Sequence, residues 1–262
     1  RDRDVTGVQT CALPISFTYN GFVNGENLSS SGVTGLPVLS TTANQLSGAG
    51  TYDITISKGS LAAANYDFQV SKATLTIDRA ALMVSASAQT RKYGTSNSTV
   101  NWSLNYNGFA NGENLQSSDV KGAPAFTTEA TASSPVGSYP VLLSKGTLTS
   151  GNYQFNFVNT ELIIEKALIT ITADNKSKLY GSPNPEFTYS YSGFMNGEIL
   201  ASSDVKGKPG YVTTATDNSP AGNYEIEPVL GTLNSGNYEF AYSKGWRSEE
   251  HTSELQSHHD LV

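Results

Sequence analysis

Three glutamates occupy the same place in a repeated motif and are the first candidates for chemistry. Each follows an Asn-Gly pair, and they are Glu26, Glu113 and Glu198. A recurring carboxylate could bind calcium or a sugar, but calcium takes about six to eight oxygen ligands and this motif offers few. The simpler interpretation is that the Asn caps a short turn and the Glu lies near its positive end. We favour this structural role.

A pair of acids could also hydrolyse a glycosidic bond, and one stretch of chain carries Glu113, Asp119 and Glu129. The scaffold around them recurs along the chain, however, and acidic residues ordinarily lie on solvated loops. Nucleophilic triads and zinc sites are built around His or Cys. These residues occur only near the two ends, as Cys11, His251, His258 and His259. We therefore predict that the protein is not an enzyme and has no catalytic, cofactor-binding or metal-binding residues.

A row of aromatic residues could stack on sugar rings. Tyr153, Phe155 and Phe157 alternate with Gln154 and Asn156, so the three rings share one face of a strand. Each ring that packs in a core buries about 150 to 250 Å². We favour core packing over glycan binding for this row.

Two lysines beside Tyr-Gly pairs could be proposed as partners in a Lys–Asn cross-link. Lys92 and Lys178 are not equivalent, because Lys178 aligns with Arg91. The alternative is an edge-strand lysine whose charged end reaches solvent and discourages strand addition. We favour that alternative.

Both ends of the chain resemble translated sequencing-library adapter. Residues 5–15 match such an adapter read in one frame, and residues 247–257 match its reverse complement. We expect residues 1–16 and 247–262 to be adapter artefacts without structure. The interior then has 13 basic and 17 acidic residues. This balance offers no basic stripe for nucleic acid or an anionic membrane surface, and no apolar run approaches the ~18 residues of a membrane helix.

The interior is built from repeats. Gly-Phe-x-Asn-Gly-Glu occurs three times, and Asn-Tyr-x-Phe follows each copy, starting at residues 65, 152 and 237. Steps of 87 and 85 residues between copies fit a small domain rather than a helical solenoid unit. We predict repeat 1 at 17–80 without its first (opening) strand, a complete repeat 2 at 81–166, and repeat 3 at 167–246 without its last (closing) strand. We expect repeat 2 to fold alone.

Apolar residues alternate within each repeat, as in half-buried strands. Leu82 with Val84 marks an opening strand and Leu162 with Ile164 a closing strand, and we expect four or five strands per repeat. A helical turn is expected after each Asn-Gly-Glu. Residues 162–170 run from a closing strand into the next opening strand without a Gly, Ser or Pro spacer, which predicts a stiff joint.

These motifs together resemble MBG domains of the YGX type. The resemblance covers nearly all of residues 17–246 and also rests on a basic residue two positions before Tyr-Gly, at Arg91 and Lys178, and on Leu-x-Ile closes. Repeat 3 carries Pro183-Asn184-Pro185 after its Tyr-Gly, whereas repeat 2 has Ser96-Asn97-Ser98 there, so these prolines are not essential. The resemblance implies an all-β array of small β-grasp-like modules. Ig-like β-sandwich repeats are the alternative.

The resemblance also implies a setting and a function. MBG domains of this type are repeated extracellular modules of large bacterial adhesins without catalytic residues. We expect structural stalk repeats of a surface or secreted adhesin, located outside the cell or on its surface, with the neighbouring repeats of the same chain as partners. The alternative is a module that itself binds an extracellular glycan or protein. No nucleic-acid partner and no membrane insertion are expected.

Overall fold

The computed structural model describes residues 15–250, which form short β-strands and no α-helix. One 3-10 helix spans Asn97–Thr99. The strands are β1 (Val38–Thr41), β2 (Gly50–Ser57), β3 (Ala73–Ile77), β4 (Ala80–Ala86), β5 (Gln89–Lys92), β6 (Leu104–Asn107), β7 (Ala125–Thr127), β8 (Gly137–Ser144), β9 (Tyr153–Phe157), β10 (Thr160–Glu165), β11 (Ala167–Ala173), β12 (Lys176–Leu179), β13 (Tyr189–Ser192), β14 (Gly210–Val212), β15 (Gly222–Val229), β16 (Tyr238–Ser243) and β17 (Gly245–Glu250). The prediction of a tandem array of small all-β modules is confirmed.

Alternation along the strands decides which side chains form the core. Leu82 and Val84 on β4 are completely buried, and Met83 between them is exposed. Leu162 and Ile164 on β10 are likewise buried. The alternating apolar residues that predicted the opening and closing strands therefore face the core.

Each of the last two repeats is built from two sheets. In repeat 2 the sheets have the orders β6-β4-β9 and β5-β10-β8-β7, and repeat 3 reproduces them as β13-β11-β16 and β12-β17-β15-β14. Within each sheet one pair is parallel: β4 with β9 and β5 with β10, then β11 with β16 and β12 with β17. Repeat 1 contributes the sheet β1-β2-β3.

Repeats 2 and 3 contain seven strands each, β4–β10 and β11–β17, so the prediction of four or five was too low. The additional strands are only three or four residues long, as at β7 and β12. A run of that length is too short to display a period of two.

The chain divides into two compact units that do not coincide with the repeats. Of the described residues, unit 1 comprises 15–84, 106–125 and 144–157, and unit 2 comprises 85–105, 126–143 and 158–250. Repeat 2 is shared between them, because its β4–β9 pair belongs to unit 1 and its β5–β10 pair to unit 2. Each unit therefore contains one junction between repeats.

Repeat 3 does have a closing strand, contrary to the prediction. Strand β17 pairs parallel with β12 and antiparallel with β15, which is the arrangement of β10 between β5 and β8. The backbone groups of β12 and β15 need partners, and the chain that follows β16 supplies them. The expectation that residues 247–262 lack structure is wrong for residues 247–250. Residues 1–14 and 251–262 lie outside the described part of the chain.

The segment after each Asn-Gly-Glu forms a hydrogen-bonded turn. The N–H of Ser118 donates to the carbonyl of Asn114 at 2.9 Å, and Ser31 and Ser203 make the same bond in their repeats. This is a single helical turn that does not continue into a helix. Between residues 15 and 250 no helix is long and apolar enough to cross a membrane.

Candidate functional site

The Asn-Gly-Glu motif forms a tight turn that aims the glutamate at the core of its own repeat. The three asparagines have φ of 54° to 55° and the glycines after them φ of 72° to 73°. Two successive positive φ values are typical of the turns that Asn-Gly favours. In repeat 2 the N–H of Glu113 closes the turn by donating to the carbonyl of Ala110 at 2.9 Å. Asn is thus a central residue of the turn rather than its cap.

Each of these glutamates accepts a hydrogen bond from the tyrosine of Asn-Tyr-x-Phe. The tyrosine hydroxyl lies 2.5 to 2.7 Å from a carboxylate oxygen in the pairs Tyr66–Glu26, Tyr153–Glu113 and Tyr238–Glu198. The same hydroxyl accepts a backbone N–H from the turn, as Tyr153 does from Ala110 at 3.0 Å. Each glutamate therefore has a hydrogen-bond partner within its own repeat, and its purely structural role stays a prediction.

The tyrosine partner was not predicted. It lies 40 residues along the chain from its glutamate, and the only signal was that both motifs recur at a constant separation. Burial and the neighbouring Glu113 carboxylate raise the pKa of Tyr153. The pKa of Tyr238 is raised in the same way, first by burial and then by Glu198. Both phenols are thus held as neutral hydrogen-bond donors.

Asp119 and Glu129, the other two acids considered for glycoside hydrolysis, lie in different environments. Asp119 accepts hydrogen bonds from the Ser150 hydroxyl at 2.5 Å and from the N–H groups of Gly151 and Asn152 at 2.6 and 3.1 Å. Glu129 is exposed to solvent. Across residues 15–250 no group of three or more His, Cys, Asp or Glu side chains is arranged to hold a metal ion.

The inside and outside of the aromatic row are as predicted. Tyr153 is 2% exposed, Phe155 and Phe157 are half-buried against Leu82 and Val84, and Gln154 and Asn156 face solvent. In repeat 1 the matching rings instead border a cleft of about 430 Å³, lined by Phe17, Tyr19, Phe22, Tyr66 and Phe68 among others. The described part of repeat 1 contains no counterpart of β4 to cover them.

The two lysines differ sharply. Lys92 is exposed and forms ion pairs with Glu165 at 3.6 Å and Glu239 at 3.4 Å, so it fits the predicted edge lysine. Lys178 is buried and donates to the carbonyls of Ser182 and Asp217, both at 2.7 Å. The prediction of a solvated edge lysine is wrong for Lys178. Its side chain faces the interior of the protein, as does that of Arg91 at the aligned position of repeat 2.

Arg91 shows the structural role of the buried cation that repeats 2 and 3 share at this position. Its guanidinium donates to the Asn97 side chain at 2.8 Å and to the carbonyl of Thr131 at 2.5 Å. Burial lowers the pKa of Arg91. Arg91 and Lys178 therefore tie the loops around them to the sheet.

The joints between repeats carry a second set of recurring contacts. Between β3 and β4 stand only Asp78 and Arg79, and between β10 and β11 only Lys166. Arg79 and Lys166 each donate to a carbonyl of the next repeat, at Gly151 and Ser235, at 3.0 and 2.7 Å.

The asparagine of Asn-Tyr-x-Phe forms further hydrogen bonds that stabilise each joint. Asn152 accepts the N–H of Ala80 on its carbonyl at 2.9 Å and the N–H of Ala49 on its side chain at 2.9 Å. Asn237 does the same with Ala167 at 3.0 Å and Val136 at 3.0 Å. One residue thus holds both the incoming strand and a turn of the preceding repeat.

The core of unit 2 is continuous through its joint. Leu162 and Ile164 of repeat 2 pack in one buried cluster with Ala167, Ile169 and Ile171 of repeat 3. The predicted absence of a flexible spacer therefore corresponds to a packed and hydrogen-bonded junction.

An array of small all-β modules, with an Asn-Gly-Glu turn in each repeat and a Tyr-Gly turn in repeats 2 and 3, defines a class of repeat protein. The chain belongs to the MBG domain (YGX type) family, whose model matches residues 4–76, 82–163 and 169–246. This family is a non-catalytic domain type. The first match begins within the segment interpreted as adapter. A comparison with curated proteins found no match.

Proposed function

We propose that this chain is part of the stalk of a large bacterial surface or secreted adhesin, in which the repeats act as non-catalytic spacers outside the cell. The observation that carries the proposal is the packed joint between repeats 2 and 3. A single residue, Lys166, separates two strands whose apolar side chains share one core. A spacer must keep its modules in fixed order and orientation, and a joint of this kind does so, whereas Gly/Ser linkers behave as random coils.

The polar contacts at the joints support the same function. Asn152 and Asn237 repeat one bonding pattern at two junctions, and the basic residues Arg79 and Lys166 each donate to a carbonyl of the next repeat there. A catalytic or ligand-binding protein needs one distinctive site, whereas a spacer needs the same connection many times. The neighbouring repeats of the chain are thus the partners that the observed contacts favour.

A spin-label experiment tests the stiffness of the joint in unit 2. Leu142 on β8 and Ser190 on β13 are exposed and lie on opposite sides of Lys166 in the chain. Both are replaced by labelled cysteine after Cys11→Ser removes the single cysteine of the chain. We expect a narrow distance distribution, and a Gly-Ser-Gly-Ser insertion after Lys166 should broaden it. An equally broad distance distribution in the chain without the insertion would refute the proposed stalk function.

The adapter interpretation is a separate proposal with its own support. Arg247 and Glu249 occupy the inward positions that Leu162 and Ile164 occupy on β10. A charged pair in place of two aliphatic residues is what an unrelated translated sequence would give. Independent sequencing of the parent gene should show a Leu-x-Ile type strand after residue 246, and the same Arg and Glu codons there would contradict the proposal.

A further inference from the structure

The Tyr-Gly turn that gives the family its description lies against the following repeat in unit 2. Tyr93 and Gly94 come directly after β5, and the N–H of Tyr93 donates to the carbonyl of Glu165 at 2.8 Å. From there the Tyr93 hydroxyl reaches Glu198 of repeat 3 and donates to its Oε1 at 2.6 Å. Tyr93 is only 4% exposed.

One carboxylate therefore joins two tyrosines from two repeats. Glu198 accepts from Tyr93 on Oε1 and from Tyr238 of its own repeat on Oε2, at 2.6 and 2.7 Å. The two rings meet edge to face, with centroids 5.4 Å apart. Hydrogen bonds to an ionised acceptor are about twice as strong as neutral ones, and aromatic pairs add to this through their geometry.

The glycine of the pair permits this close approach. A side chain at Gly94 would overlap the Cβ of Met195, the variable residue of Gly-Phe-x-Asn-Gly-Glu. Gly181 has nearly the same φ, +81° against +80°, but nothing lies within 4 Å of the position of its missing side chain. The left-handed backbone is thus common to both turns, while the contact with a following repeat is particular to Gly94.

We propose that the Tyr-Gly turn and the Asn-Gly-Glu turn are the two halves of a clasp that docks each repeat onto the next. The receptor half is the glutamate with its own tyrosine, and the partner that it fits is the Tyr-Gly turn of another MBG repeat. The same receptor stands at Glu113 with Tyr153 and at Glu26 with Tyr66.

The inference rests on the proposed stalk, and the same labelled chain separates the two. Gly94→Ala should broaden the distance between the labels at positions 142 and 190, because the added methyl group meets Met195. Gly181→Ala is the matched control, since it carries the same backbone strain without that neighbour. Equal effects of the two substitutions would overturn the clasp while leaving the stalk intact. A broad distribution in the unsubstituted chain would overturn the stalk first.

A second experiment, amide hydrogen exchange, uses a substitution that removes an atom and adds none. Tyr93→Phe keeps the ring and removes one charge-assisted hydrogen bond, so amide exchange at the joint should accelerate about 10- to 100-fold. The reporting amides are those of Ala167 and Val136, which bond to Asn237. Glu113→Gln, which alters the same kind of contact in unit 1, should leave these amides unchanged. Unaltered exchange in the Tyr93→Phe chain would overturn the clasp.

Discussion

At the level of single residues, a substitution at Phe155 distinguishes two roles of the aromatic row on β9, core packing and ligand binding. It is half-buried against Leu82 and Val84. Truncating a core Phe to Ala costs about 3 to 5 kcal/mol, and we expect Phe155→Ala to fall in the lower part of that range. The denaturant midpoint of unit 1, followed by far-UV circular dichroism, measures the loss. Gln154→Ala, one residue along on the exposed face, should leave the midpoint unchanged; the reverse order of effects would mean that the aromatic row faces solvent.

Arg247 and Glu249 are charged residues at buried positions of β17. They form an ion pair at 2.5 Å inside the protein, yet Arg247 Nε and Glu249 Oε1 make no hydrogen bond. Replacing a buried ion pair with apolar residues is often neutral or stabilising by about 1 to 4 kcal/mol, whereas removing one partner costs about 3 to 5. We therefore expect the double variant Arg247→Leu, Glu249→Ile to keep or raise the unfolding midpoint of unit 2.

Lys178 retains its two carbonyl partners in that double variant, and in repeat 2 the aligned Arg91 is likewise held by uncharged acceptors, the Thr131 carbonyl and the Asn97 side chain. Glu249 also pairs with Lys178, whose Nζ lies 3.4 Å from Glu249 Oε1. The matched variant Glu249→Gln therefore leaves Arg247 and Lys178 without their carboxylate and should lower the midpoint. Tryptophan fluorescence measures both, because Trp102 and Trp246 lie in unit 2. A double variant less stable than Glu249→Gln would show that the ion pair itself stabilises the strand.

At the level of elements, the loop before β9 depends on one carboxylate. Burial disfavours the ionised form of Asp119, but its hydrogen bonds from Ser150, Gly151 and Asn152 together outweigh this and lower its pKa below 3.8. A group with a lowered pKa in the folded state contributes stability above its unfolded value and loses it as the pH falls through the folded value. We expect the loop to be held above about pH 4 and released below it.

The titration of the Gly151 amide resonance tests this. Its midpoint should lie below 3.8, the ordinary value for this carboxyl. Asp119→Asn should abolish the titration and weaken the loop at neutral pH. A midpoint at or above the ordinary value would show that the three donors do not act together.

The elements that the sequence predicts well are the long ones with clear alternation, such as β4, β10 and β11. Alternation also predicted the inside and outside of β9. It did not predict β7 or β12, which are too short, or β17, whose sequence has no apolar alternation and which pairs with β12 and β15. The Tyr–Glu pairs escaped prediction because partners 40 residues apart leave no local pattern, although both motifs were recognised as recurrent.

At the level of the whole chain, the division into two units predicts how the protein unfolds. Repeat 2 contributes strands to both units, so the earlier expectation that residues 81–166 fold alone now competes with the packing of β10 against β11. We expect two separable transitions, each reporting one unit. Tryptophan fluorescence follows unit 2 alone, whereas far-UV circular dichroism follows both. A single transition, coincident by the two probes, would show that the units unfold as one body.

The parallel pairing of β11 with β16 has a mechanical consequence. Their register runs from Ala167 opposite Tyr238 to Thr172 opposite Ser243. Tension applied to the start of β11 and the end of β16 pulls the two strands along each other, so the evenly spaced hydrogen bonds of the pair resist in shear. The antiparallel pair β14–β15, pulled at facing residues, opens like a zipper, one bond at a time. Single-molecule pulling through cysteines at Leu168 and Ser243 should therefore require more force than pulling through Val212 and Glu227, and equal rupture forces would rule out shear resistance.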